Sequence, residues 1–200
     1  MKLFESSILT VEPLAKVKQW IKEAIESEVS LPHAMNLSTV DDLAQPSSRM
    51  VLLKQISDQG LIFYTDYESQ KGQTLNKNPK AALNFWWAET NKQIRIEGIC
   101  QKTSKEDSDN YFESRPKGSK ISATISIQSK EIKSYEHLVQ EAEDLRKISS
   151  GSHLERPPRW GGYLLIPNKI EFWENQESRL HKRELFSLIS GKWKKTLLSP

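Results

Sequence analysis

Two hundred residues, 28% charged and 36% hydrophobic, suffice for one ordinary folded core and are too apolar for a disordered chain. A formal net charge of +3, spread along the chain, gives no reason to invoke nucleic acid, and no window approaches the roughly 18 apolar residues of a membrane span. The single cysteine, Cys100, excludes an intrachain disulfide framework and, with no signal peptide legible in Met1–Pro13, points to a reducing, cytoplasmic setting.

The first predicted element is a helix. Pro13 stands at the entry to Leu14–Glu28, where Leu14, Val17, Trp20, Ile21, Ala24 and Ile25 form one apolar stripe. The period then changes to two. Ala34–Val40, Arg49–Ile56, Leu61–Thr65, Ala81–Trp87 and Gln93–Lys102 read as strands, separated by turn chemistry at Asp41-Asp42, Ser57–Gly60, Asn78-Pro79 and Glu89–Lys92. Tight connections favour antiparallel pairing, and five strands in a row suggest a barrel or sandwich. Ser69–Asn76 reads as a short inserted helix. Cys100 shares a strand face with Ile94 and Ile96, which predicts a buried, inert thiol.

The middle third is predicted to be helical over Lys105–Ser114, Ser119–Ile127 and Tyr135–Ile148, followed by a surface loop, Ser149–Arg159. Strand character returns at Trp160–Ile166, Lys169–Glu174, Glu184–Ile189 and Trp193–Leu198, with Ser190-Gly191 joining the last two. The expectation is one α+β domain whose sheet draws on both ends of the chain. The histidines at 33, 137, 153 and 181 lack ligand spacing, so no metal is expected.

Several clusters suit anions. Arg49 and Lys54 bracket an apolar run and differ in parity, which sends them to opposite faces unless a bulge intervenes. Tyr111 and Arg115 share a helix face, and Ser119 then stands at an N-cap position, giving hydroxyls, a guanidinium and backbone donors for a phosphate. Tyr64-Thr65 with Ser69-Gln70-Lys71 forms a second such group, and Gln93 and Gln128-Ser129 add amide and hydroxyl edges suited to a heteroaromatic ring. Arg179-Leu180-His181-Lys182-Arg183, soon after Trp173, joins cations and a titratable ring to an indole. Each cluster alone also reads as capping or solvated surface charge. No Gly-rich Rossmann fingerprint, P-loop or nucleophile triad is legible. Together the clusters fit a phosphorylated flavin beside a phosphorylated small substrate.

In this order the motifs resemble the pyridoxamine/pyridoxine 5'-phosphate oxidase family of FMN enzymes. The anchors are Arg49–Lys54, Phe63-Tyr64-Thr65, Gln93–Gly98, Tyr111-Phe112 with Arg115-Pro116, Gln128-Ser129, Trp160-Gly161-Gly162, Ile170–Trp173 and Arg179–Arg183. The resemblance implies an antiparallel FMN-binding split β-barrel with peripheral helices, forming a homodimer with FMN in the subunit interface. Residues 1–200 are then one domain, with 1–30 an N-terminal helical segment and 160–200 the strands completing the site. It implies FMN contacts at Arg49, Met50, Val51, Leu52, Leu53, Lys54, Tyr64, Thr65, Gln70, Lys71, Gln93, Gln128, Ser129, Trp173 and Arg183. It places substrate contacts at Lys54, Tyr111, Arg115, Ser119, Arg179, Leu180 and His181. Arg179 and His181 take the catalytic positions. The implied reaction moves a hydride from C4' of pyridoxamine or pyridoxine 5'-phosphate to the flavin, and dioxygen is reduced to hydrogen peroxide.

The chain departs from the family pattern in places. Gln70 stands where an Arg is usual, Ser122 and Thr124 replace a Gly and a Trp, Lys182 replaces an Asp, and Leu197 replaces an Arg. The basic N-terminal segment has no clear counterpart before Leu14. These changes keep two alternatives open: a sister FMN oxidase of another heteroaromatic acid, of the phenazine-biosynthesis type, and a non-catalytic flavin or pyridoxal-phosphate binding protein.

Overall fold

The computed structural model describes residues 9–150 and 152–200. Residues 1–8 of the expected N-terminal segment, and Gly151 of the expected 149–159 loop, lie outside the described residues. Helix α1 (Glu12–Glu26) carries Pro13 in its first turn and buries Leu14, Val17, Trp20, Ile21 and Ala24. Ile25, expected in the same stripe, is 46% exposed because it lies at the edge of that face.

Nine strands follow: β1 (Ala34–Val40), β2 (Pro46–Leu52), β3 (Gln55–Ser57), β4 (Gly60–Asp66), β5 (Lys80–Trp87), β6 (Lys92–Lys102), β7 (Trp160–Glu174), β8 (Lys182–Ile189) and β9 (Lys192–Leu198). Among the described residues they form one sheet in the order β2-β1-β5-β6-β7-β4-β3, with β8 pairing β7 and β9 pairing β8, and every pairing is antiparallel. Helices α2 (Gln70–Lys77), α3 (Lys105–Glu113), α4 (Lys117–Ile125) and α5 (Tyr135–Ile148) complete the fold. The core runs between α1 and the inner sheet face, through Met35, Leu37, Phe63, Phe85, Ile96, Leu165 and Phe172. Cys100 is buried there as expected, and burial pushes its thiol up to about 12.

Two predicted boundaries are corrected. The single strand expected over Arg49–Ile56 is two strands, β2 and β3, separated by Leu53 and Lys54. At that break the chain changes partner: the Leu53 N–H donates to His33 O, whereas the Lys54 N–H donates to Ile62 O. The parity rule for Arg49 and Lys54 therefore does not apply, because the two residues lie on different ladders. Conversely, the two strands expected over Trp160–Ile166 and Lys169–Glu174 are one 15-residue strand, β7. The long β6 pairs with both halves, and a register shift between Glu97 and Gly98 absorbs the extra residue at Pro167-Asn168. Gly98 permits this close passage, since a Cβ there would lie 2.2 Å from the Ile166 carbonyl oxygen.

Candidate active site

Four segments converge on a cavity of about 370 Å3. The break after β2 supplies Met50, Val51, Leu52 and Lys54, the end of β4 supplies Tyr64 and Thr65, and α2 supplies Lys71. The α3–α4 region contributes Tyr111, Arg115, Pro116 and Ser119, with Gln128 and Trp160 closing the wall. The side chain of Leu53, within the run expected to contact the cofactor, is fully buried in the core. Its N–H bond to His33 turns the side chain inward at the strand break.

One half of the cavity is built around Lys54 and Arg115. Burial, reinforced for Lys54 by the neighbouring guanidinium, lowers both of their pKa values. Neither forms an ion pair among the described residues, and the buried Arg115 Nη1 has no hydrogen-bond partner. An unpaired buried cation costs free energy until an anion arrives, so the pair defines a seat for one. Tyr111 stacks on Tyr64 with centroids 3.9 Å apart, which directs its ring along the same wall. Burial, then the charge of Asp107, pushes the Tyr64 hydroxyl up to about 12, so it stays a neutral donor. Ser119 is not the N-cap expected from sequence. Pro116 occupies that position, and α4 begins at Lys117, which puts Ser119 in the first turn. Proline suits the start because it has no N–H to leave unsatisfied.

The other half surrounds Lys71. Ser69 caps α2 by accepting from the Gly72 N–H, and Lys71 Nζ donates to Gln128 Oε1 at 2.9 Å and Thr65 Oγ1 at 3.0 Å. The Gln70 N–H donates to Ser129 Oγ, so residues 128–129 meet the helix start. Burial, then the nearby Arg49, lowers the Lys71 pKa to about 8. Arg49 is held by the Thr39 and Ser47 hydroxyls at 2.8 and 2.7 Å and has no carboxylate partner among the described residues. Two cations, hydroxyls and a helix N-terminus make a second anion seat.

The remaining expected residues lie elsewhere on the chain. Gln93, Trp173 and Arg183 stand in one row across β6, β7 and β8, and the His181 ring is 4.5 Å from Trp173. Gln93 Nε2 donates to Asn84 Oδ1, and Arg183 pairs with the buried Glu171 at 2.8 Å. Arg179 lies in a short 3-10 turn, Glu177–Arg179, where Ser178 and Arg179 take φ values of 54° and 60°. Consecutive left-handed non-glycine residues are costly and concentrate at functional sites. Leu180, between them and His181, is 72% exposed. Trp160 and Trp173 occupy opposite ends of β7, separated by roughly 40 Å of strand at the usual rise. Arg179 and His181 of the same chain do not line the cavity that holds Lys54 and Arg115.

Residues 21–149 match the family described as pyridoxamine 5'-phosphate oxidase, and residues 160–200 match the pyridoxine 5'-phosphate oxidase C-terminal dimerisation region. The chain belongs to the pyridoxamine 5'-phosphate oxidase family. A pyridoxine/pyridoxamine 5'-phosphate oxidase of Actinobacillus pleuropneumoniae is 46% identical over 94% of this chain and 90% of its own length. Its counterpart in Cupriavidus necator is 45% identical over 94% and 89%. Among solved structures, PhzG of Burkholderia lata, in complex with tetrahydrophenazine-1-carboxylic acid, superposes with a TM-score of 0.91 at 33% identity, covering 94% of this chain and 92% of its own. A pyridoxamine 5'-phosphate oxidase-related, FMN-binding protein of Nostoc punctiforme has a TM-score of 0.77 at 18% identity, covering 98% and 100%, and so shares the fold. The oxidase fold is thus an antiparallel split barrel.

Sequence reasoning gave no role to Trp160 or Asn84. Trp160 was visible within the Trp-Gly-Gly motif, and the reason for one of those glycines is local. A Cβ on Gly162 would lie 2.9 Å from the Tyr64 ring, which forms the cavity wall. Asn84 carried no sequence signal, because only the folded sheet brings its Oδ1 to Gln93 Nε2.

Proposed function

We propose that this oxidase converts pyridoxamine 5'-phosphate or pyridoxine 5'-phosphate to pyridoxal 5'-phosphate, using FMN and dioxygen. The observation that carries the reading is a cavity lined by two separate cationic groups, Lys54–Arg115 and, across from it, Lys71 with Arg49 nearby outside the lining, none of the four paired with a carboxylate among the described residues. A phosphorylated cofactor and a phosphorylated substrate together require two such seats. Arg49, Lys71, Thr65, Ser129 and the α2 N-terminus hold the FMN phosphate, and Met50–Leu52 offer backbone and apolar surface to the ring. Bound FMN supplies the redox chemistry, accepting a hydride from the substrate and passing electrons to dioxygen. Lys54, Arg115, Tyr111 and Ser119 hold the substrate phosphate.

The active unit is a homodimer in which the whole chain serves as one FMN-binding domain. The partner's C-terminal strands, with Gln93 on the adjoining β6, bring a second set of groups (Gln93, Trp173, Arg179, His181 and Arg183) over the cavity. The separation of the two sets along β7, and the match of residues 160–200 to a dimerisation region, support this arrangement. His181 Nδ1 accepts from the Gln176 N–H at 3.3 Å, which leaves the neutral ring's proton on Nε2. The ring thus presents a donor to the substrate, while Arg179 lies over the pyridine and orients it.

The test is to incubate FMN-loaded protein with each phosphorylated vitamer and follow aldehyde and peroxide. Turnover of neither sinks the reading. The likeness to PhzG favours one second reading, oxidation of a reduced heteroaromatic carboxylic acid. Such a substrate would set its carboxylate at the Lys54–Arg115 seat in place of a phosphate, so turnover of a non-phosphorylated acid alone would select it.

A further inference from the structure

We propose that Trp160 is a positioning residue for the substrate-phosphate seat, holding the Arg115 guanidinium so that phosphorylated molecules are preferred. The inference rests on the reading of Lys54 and Arg115 as phosphate ligands. Trp160 is 4% exposed and lines the cavity, although no chemistry above has needed it. The Arg115 guanidinium carbon lies 4.3 Å from its ring. Its plane is within 8° of Tyr111 and 12° of Tyr64, at centroid separations of 6.2 and 5.5 Å, and Phe112 meets it edge-on at 5.4 Å.

The choice of an aromatic neighbour has a specific consequence. Two other largely buried arginines are held by carboxylates: Arg156 by Asp109 and Arg159 by Asp66. A carboxylate fixes a guanidinium but also neutralises it and occupies the donors an anion would use. An indole face fixes the same group by cation–π attraction and leaves its edge donors free. Arg115 shows that signature, with a buried Nη1 lacking any partner.

The backbone that carries the indole is well anchored. The Trp160 backbone N–H donates to Pro157 O, and its carbonyl accepts from Arg156, whose guanidinium also pairs with Asp109 on α3 at 2.6 Å. Since α3 carries Tyr111, one linkage sets the spacing between the indole and both seat residues.

The experiment compares wild type, Trp160→Leu, Trp160→Phe and Arg115→Lys, with each Trp160 change also made in the Arg115→Lys background. All are FMN-loaded, and flavin absorbance verifies loading. Calorimetry reads the Kd of inorganic phosphate, and steady-state kinetics read kcat and KM for pyridoxamine 5'-phosphate. Trp160→Leu is expected to raise the phosphate Kd and the KM about tenfold with kcat nearly unchanged, and Trp160→Phe to recover most of that loss. In the Arg115→Lys background neither change should weaken phosphate further.

Equal losses in the two backgrounds, or a Trp160→Leu protein with wild-type phosphate affinity, would overturn the proposal. If Trp160→Leu does not load FMN, the Trp160→Phe pair decides by the same comparison, with an expected loss of about threefold beside Arg115 and none beside lysine. A wild-type protein that binds no inorganic phosphate and turns over neither vitamer defeats the seat itself, which is a separate failure.

Discussion

Replacing Lys71 by methionine should weaken FMN binding, remove its dependence on alkaline pH and stabilise the FMN-free protein. Without FMN the Lys71 pKa falls from 10.5 to about 8, chiefly through burial. Between those values the unfolded chain holds more protons than the folded one, so apoprotein stability rises with pH across that window. Below about pH 8 the fold carries the full cost of a buried ammonium, ~3 kcal/mol. A phosphate beside Lys71 favours the charged form and offsets that cost. FMN binding therefore takes up a proton above pH 8, and its Kd should be flat near neutrality and about tenfold weaker at pH 9 than at pH 7. Lys71→Met should bind about ten- to a hundredfold more weakly at neutral pH, the loss of one charge-assisted contact. Its apoprotein should gain up to ~3 kcal/mol in urea unfolding at pH 7. Titrating FMN fluorescence quenching from pH 6.5 to 9.5 separates these effects. The reasoning fails if the Lys71→Met protein keeps the alkaline slope, or if its apoprotein is less stable than wild type.

Mixing two inactive chains tests the shared site. Arg115→Ala and Arg179→Ala homodimers should each be nearly inactive, whereas subunits exchanged between them should regain about a quarter of wild-type turnover, because half the dimers carry one intact site. No recovery after verified exchange would place both residues in one chain's site. Gln70→Arg should tighten FMN about tenfold, since position 70 opens α2 beside Ser129, and equilibrium dialysis reads the change. Glu184 governs acid stability. Burial alone would raise its pKa, but Lys16 and Lys195 outweigh this and hold it at about 2. Its contribution is present above the ordinary value of 4.5 and lost as pH falls through about 2. Glu184→Gln should therefore lower Tm at pH 6 and narrow its gap to wild type at pH 2.5, as measured by calorimetry.

The parts of the fold legible in the sequence were those written locally. The α1 stripe, the Ser69 cap and the alternation of β5 and β6 each declare themselves within a few residues. What stayed hidden depended on partners distant in sequence. The run Arg49–Ile56 stays apolar and strand-like through Leu53, and only the bonds to His33 and Ile62 reveal that the chain leaves one ladder for another. Residue chemistry likewise picked out Arg49, Lys54, Lys71 and Arg115 as candidate anion ligands, but not which of them lie together. It could not show that Arg179 and His181 sit at the far end of β7, because spacing in sequence carries no direction in space. The left-handed backbone at Ser178 and Arg179 left no compositional mark either, since no glycine announces it.

The irregularity at Pro167-Asn168 has a geometric meaning beyond the pairing it accommodates. On the N-terminal side of it the odd positions Tyr163 and Leu165 enter the core, and on the C-terminal side the even positions Ile170 and Phe172 do so. This phase slip turns Trp160 and Trp173, an even and an odd residue, toward the same outer surface of the strand. A perfectly regular β7 would aim one indole outward and drive the other into the hydrophobic interior. Removing that single extra residue would thus disarm one end of the strand without touching any ligand-facing side chain.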